Sequence, residues 1–157
     1  MNAVVSSLLL LALPVSNALA SAQTCATASE RDIVALFGQW NDSLQSGDPR
    51  QVEALYASDA VLLPTVSKVP RLTREARIDY FQHFLSDRPS GRLDSQHVHL
   101  GCNTALLNGL YTFHFASTDR QVAARYSFAY TWNGERWLIS SHHSSALPEH
   151  QDPYEKP

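Results

Sequence analysis

The residues of this chain best suited to chemistry stand together near its C-terminus, in Trp137-Leu138-Ile139-Ser140-Ser141-His142-His143-Ser144-Ser145. Imidazole is the side chain that exchanges protons near neutral pH, and hydroxyls both donate and accept hydrogen bonds. Together they can hold a water and take its proton, as general-base catalysis requires. The stretch follows Asn133-Gly134, a strong hairpin signal, so it reads as a final strand entered from a tight turn. Successive strand side chains point to opposite faces. One face carries Trp137, Ile139, Ser141, His143 and Ser145, and the other Leu138, Ser140, His142 and Ser144. The first face passes from apolar to polar, which suits a pocket wall with an apolar floor and a reactive mouth. It equally suits a strand running out into solvent.

A metal site is the competing chemistry. His97 and His99 share a strand face, and His142 or His143 could add a third imidazole. Three histidines with an open position suit catalytic zinc, but the sequence does not bring these faces together. The cytosine-deaminase, P-loop and nucleophile-elbow motifs are absent. A net charge of −3 argues against nucleic acid and anionic membranes as partners.

The elements that must position these groups read as helices first and strands after. Ser29 caps a helix whose Ile33, Phe37, Trp40 and Leu44 form one apolar face, and Gly47 ends it. Asp48-Pro49 opens a second helix with Val52, Leu55 and Tyr56 on its buried side. Ala60 to Leu63 is a short buried strand stopped by Pro64, and a loop runs from Thr65 to Pro70. Thr73 caps a third helix with Ile78, Phe81, Phe84 and Leu85 inward, and Pro89 and Gly91 break the chain. Strands follow at His97 to Leu100, Leu106 to Phe115 and Val122 to Trp132, then the final strand. The expected fold class is α+β, with N-terminal helices packed on a curved antiparallel sheet. The aromatic row Tyr126, Phe128, Tyr130 and Trp132 needs cover, from the helices or from another subunit.

Trp137-x-Ile139-x-x-His142-His143-Ser144-Ser145-x-x-Pro148-Glu149 resembles the last strand of the calcium/calmodulin-dependent protein kinase II association-domain family. Leu62-Leu63-Pro64-Thr65, Asp79-Tyr80-Phe81, His97-Val98-His99-Leu100-Gly101 and Ala124-Arg125-Tyr126 stand in the family's order. The resemblance implies the cone of nuclear transport factor 2. Within the family, secreted proteins ending in His-His-Ser-Ser resemble the iota class of carbonic anhydrases. That likeness implies reversible hydration of carbon dioxide to bicarbonate, with Thr65, Tyr80, His143 and Ser145 holding water or bicarbonate. His143 is then the base, and Arg125 and Ser141 contact the substrate. It implies no cofactor, or alternatively zinc or manganese held by His97, His99 and His143. It further implies a homodimer or higher homo-oligomer. Only Arg125 matches the arginines of the kinase hub's pocket, because Tyr111 and Ser144 stand where the hub has two others. No kinase domain is present in the chain, so the hub's ligand and kinase partner are not expected. The alternatives are a non-catalytic ligand-binding or oligomerising module, or a polyketide-cyclase-like enzyme, for which Asp79 and Asp94 are the nearest carboxylates.

Residues 1–20 carry an apolar run and the small-x-small site Ala18-Leu19-Ala20, the pattern of a secretory signal, with no Lys or Arg before the run. The expected location is periplasmic or secreted. A single domain over 21–150 and a disordered tail over 151–157 complete the expected organisation. In an oxidising compartment two cysteines suggest one disulfide, Cys25 to Cys102; two buried free thiols are the alternative.

Overall fold

The computed structural model describes residues 24–148 apart from Val66. The expected signal segment and C-terminal tail lie outside the described residues. Helix α1 (Glu30–Leu44) starts at Ser29, whose side chain and that of Asp32 cap each other's backbone N–H in a capping box. Ile33, Phe37, Trp40 and Leu44 form its buried stripe. Helix α2 (Pro49–Glu53) is one short turn capped by Asp48. It stops earlier than the apolar pattern suggests, because Tyr56 already belongs to strand β1 (Tyr56–Leu63). Helix α3 (Arg74–Phe84) is capped by Thr73 and runs into a 3₁₀ turn (Leu85–Asp87). Then come β2 (Pro89–Leu93), β3 (His97–Gly101), β4 (Thr104–Phe115), β5 (Arg120–Trp132) and β6 (Trp137–Ala146).

The sheet order is β1-β6-β5-β4-β2, with β3 also paired to β4. Two features correct the sequence reading. The sheet is mixed, not antiparallel throughout, because β1 lies parallel to β6. Pro89 and Gly91 do not break the chain but belong to the edge strand β2. Pro is tolerated at a strand's first residue, and Gly91 is close-packed, since an added Cβ would meet Phe37 and Phe113 at 3.2 Å. The Asn133-Gly134 connection is a four-residue loop. The Asn133 carboxamide oxygen accepts from the N–H groups of Glu135 and Arg136.

The core lies between α1, α3 and one sheet face. Phe113, Tyr126, Phe128 and Tyr130 point inward from alternate positions, so three of the four aromatics of the β5 row are covered within the chain, while Trp132 stays half-buried. Beneath α3, the fully buried Arg77 donates to the carbonyls of Ala57 and Ala60 and to Glu53. This pins the entry of β1. Arg77, and not Ile78, is the buried residue at this point of the helix. Cys25 and Cys102 are disulfide-bonded, and Asn103 holds the same segment by accepting from Ala26 N–H. Among the described residues no helix is long and apolar enough to cross a membrane.

Candidate functional site

Strand β6 does not alternate strictly, and this decides which of its residues face the core. Ile139 stands opposite Tyr130 and Ser141 opposite Ala129, so Ser140 is an extra residue, a β-bulge. Its hydroxyl donates to the carbonyl of Ala129 at 3.2 Å. Ile139 and His142, three apart, therefore both point inward. His142 is 4% and Ser144 6% exposed, while His143 is exposed. The expectation that His143 and Ser145 share Ile139's face is corrected: the bulge turns His142 and Ser144 to the interior and His143 and Ser145 to the outer face.

The inward pair lines a cavity of about 320 Å³ between α3 and the sheet. Its polar end is a cluster of hydroxyls. Tyr111 OH donates to Ser144 Oγ at 2.5 Å, and Thr65 Oγ1 meets Ser144 Oγ at 2.5 Å. Tyr111 spends its proton on Ser144, and the Ser144–Thr65 contact uses one more. One hydroxyl proton of the cluster is left to donate to a ligand. Tyr80 lines the same cavity from α3. Burial pushes its hydroxyl up to about 12, against the opposing pull of Arg71, and also pushes Tyr111 up, against its bond to Ser144. Both stay protonated donors at neutral pH. Trp40, Leu62, Phe84 and Phe113 make the rest of the wall mostly apolar.

His142 is held from behind. Trp40 Nε1–H donates to Tyr56 OH at 3.1 Å, and Tyr56 OH lies 2.8 Å from His142 Nδ1. Among the described residues, the Tyr56 proton has no other acceptor than Nδ1. Nδ1 therefore accepts, and Nε2 carries the ring's hydrogen. Nε2 is buried without a hydrogen-bond partner among the described residues. The ring stacks on Phe128 at 4.0 Å. Burial, with a smaller effect from His143, pushes its pKa down to about 3. His142 is thus a neutral donor at working pH and not a base.

Two arginines line the cavity, the exposed Arg120 and the half-buried Arg71, and the sequence reading missed both; Arg71 is the more enclosed. Its backbone pairs with Leu62 through two hydrogen bonds of 2.8 and 3.1 Å. Its guanidinium lies 5.9 Å from the Tyr80 ring centre. Nε is buried without a partner, and no carboxylate pairs with Arg71 among the described residues. A half-buried, unpaired guanidinium beside hydroxyl donors suits an oxyanion. Arg125 lies on the outer sheet face between Leu110 and Ser145, and Ser141 lies there opposite Ala129. The structure thus brings Thr65 and Tyr80 to the cavity but places His143, Ser145, Arg125 and Ser141 away from it.

The three-histidine metal reading fails on register. His97 pairs with Asn108, Asn108 with Ser127, and Ser127 with His143. Three strand steps of 4.7–4.9 Å put His97 and His143 about 14 Å apart, too far to share one ion at about 2 Å from each ring. Among the described residues no three His, Cys, Asp or Glu side chains are grouped to hold a metal.

The comparisons agree with this architecture. No curated protein matches the chain. A calcium/calmodulin dependent protein kinase II association-domain structure from Xanthomonas campestris is 40% identical, with a TM-score of 0.75, covering 81% of this chain and 96% of that one. A nuclear transport factor 2-like protein of unknown function from Pseudomonas putida shares the fold at 19% identity and TM-score 0.68, covering 82% of this chain and 99% of that one. A candidate dehydratase of the nuclear transport factor 2-like family from Streptomyces avermitilis does so at 12% identity and TM-score 0.65, covering 75% and 95%. The family profile of the calcium/calmodulin dependent protein kinase II association domain matches residues 29–148, and the chain belongs to that family, with its nuclear transport factor 2-like fold.

Proposed function

We propose that this protein is a carbonic anhydrase of the iota type, hydrating carbon dioxide to bicarbonate in the cavity between α3 and the sheet. The observation that carries the reading is the meeting of Thr65, Tyr111 and Ser144 hydroxyls in a mostly apolar cavity that Arg71, without a carboxylate partner among the described residues, also lines. An apolar wall receives carbon dioxide, which has no net dipole. The hydroxyl cluster and Tyr80 hold the attacking water. As the water oxygen bonds to carbon its O–H bond breaks, and the proton leaves through the cavity's solvent to buffer; the charge that builds on the carbon dioxide oxygens is stabilised by Arg71 with the spare hydroxyl donor. Arg71 is already in place, so little reorganisation opposes the step. His142 adds an N–H donor near the same wall and takes no proton.

The same proposal includes export through residues 1–20, in keeping with the Cys25–Cys102 bond, and pairing of two copies through the outer sheet face. A second reading, a non-catalytic binding module, is favoured by one observation. About 320 Å³ is within the range of pockets that hold organic ligands and exceeds what bicarbonate fills. Stopped-flow hydration assays on the mature, disulfide-bonded protein separate the two. The carbonic anhydrase reading expects turnover above the uncatalysed rate that survives exhaustive chelation. Absence of turnover supports the binding module. Turnover that chelation abolishes and one added metal restores contradicts the hydroxyl-based mechanism.

A further inference from the structure

Strand β6 ends at Ala146, opposite Ala124 of β5. One further bond, from Leu147 N–H to the Ala123 carbonyl at 3.1 Å, carries the chain on beside β5. Pro148 is the last described residue, so the chain leaves the fold antiparallel to β5, heading toward Val122 and Arg120. Among the described residues, no strand pairs with that side of β5 before Ala124.

This exit lies at the mouth of the cavity. Arg120, Val122 and Ala124 line the cavity from β5, and Asp79 and His83 from α3. Arg120, Asp79 and His83 are exposed, whereas Trp40 and Leu62 of the same wall are buried, so the opening is on the side where the chain leaves. Arg120 lies over the Phe115 ring, 4.4 Å from its centre, and no carboxylate pairs with it among the described residues. The sequence beyond Pro148, Glu149-His150-Gln151-Asp152-Pro153-Tyr154-Glu155-Lys156-Pro157, carries three carboxylates, one lysine and one aromatic ring. Tyr154 can reach about 20 Å from Pro148, well beyond the about 7 Å that separates Ala124 from Val122 along β5. A mostly apolar cavity of about 320 Å³ has room for an aromatic ring. Asp79 and Asp87 stand across the mouth on the α3 side, where the charge of Lys156 is the complementary one.

We propose that residues 149–157 dock back over the mouth of the cavity, with the Tyr154 ring against its apolar wall and Asp152 and Glu155 beside Arg120. A ligand in the cavity and the docked segment then exclude each other. Access is set by the chain itself, whichever chemistry the cavity performs.

The test compares the full mature, disulfide-bonded chain with Tyr154→Ala and with the double variant Asp152→Lys, Glu155→Lys. None of these positions belongs to a helix or strand described above. Two readouts are taken: affinity for the neutral apolar dye phenylnaphthylamine, and the backbone amide resonances of residues 120–124. A mouth closed in most molecules reduces apparent affinity by the open fraction, so each variant should bind the dye about fivefold or more tightly than wild type. The amide resonances should move in both variants. Equal dye affinity in wild type and variants, absence of binding included, overturns the proposal, and so do amide resonances that stay in place. Weaker dye binding by the variants overturns it as well, since the segment would then help to hold the ligand. Amide shifts that depend on protein concentration would assign the mouth to a second copy of the chain and equally overturn it.

Discussion

At His142 one hydrogen-bond chain decides what the residue can do. Trp40 can only donate, so Tyr56 must receive it and pass its own proton to Nδ1. Burial then holds the ring neutral, with its pKa pushed down to about 3. The unfolded chain's histidine titrates near 6.5. Between these values the unfolded state binds the extra proton, so the contribution to stability is complete above pH 6.5 and lost as pH falls toward 3. At pH 5 the loss from this group is on the order of 2 kcal/mol. Urea denaturation at pH 7 and pH 5 checks this. Wild type should lose that much more stability between the two than His142→Gln, which cannot titrate; equal losses would show that burial does not hold the ring neutral. The sequence displayed His142 and His143 side by side. It could not say which was buried, because Tyr56 and Trp40 lie 86 and more residues away along the chain.

At the scale of elements, the choice between neighbouring faces rests on a single extra residue, Ser140. Strict alternation from Trp137 predicts His143 and Ser145 inside, and alternation holds through β5, where Ala124, Tyr126, Phe128 and Tyr130 are all buried. The bulge has no strong sequence signature here, since Ser140-Ser141 suits a regular strand as well as a bulged one. Arg71 was missed for a similar reason: it lies in a loop, and only its two backbone bonds to Leu62 place it at the cavity. Helix starts were legible, because Ser29, Asp48 and Thr73 each cap the helix they precede. A close approach that the sequence did not display occurs at Gly109 on β4. A Cβ added there would stand 2.1 Å from the Ser95 carbonyl oxygen, and Ser95 also accepts from Tyr126 OH. Gly109→Ala should therefore cost about 1–3 kcal/mol, read as a lowered denaturation midpoint with the slope unchanged. An unchanged midpoint would mean that the segment carrying Ser95 moves aside freely.

For the whole molecule, class and architecture were legible because helical and strand periodicities occupy separate parts of the chain. The parallel β1–β6 pair was not, since it joins residues about 80 apart with no local turn to announce it. The Cys25–Cys102 bond spans 77 residues. In the chain-entropy model, closing such a loop stabilises by roughly 4 kcal/mol. Cys102→Ser should lower the melting temperature of the folded protein substantially, as should reduction of wild type. Equal melting temperatures with and without reductant would place the stability in the aromatic core alone.

The proposed chemistry belongs to the inner face of β6 and not to the outer one. The direct measurement is stopped-flow carbon dioxide hydration by Ser144→Ala beside Ser145→Ala, both checked for folding by circular dichroism. Ser144 is the hub of the hydroxyl cluster, and Ser145 lies one residue away on the outer face. Loss of one positioned catalytic donor costs about 10²–10³-fold, so Ser144→Ala should fall by that order while Ser145→Ala stays near wild type. A folded Ser144→Ala with wild-type turnover, or a Ser145→Ala that alone loses it, would contradict the account.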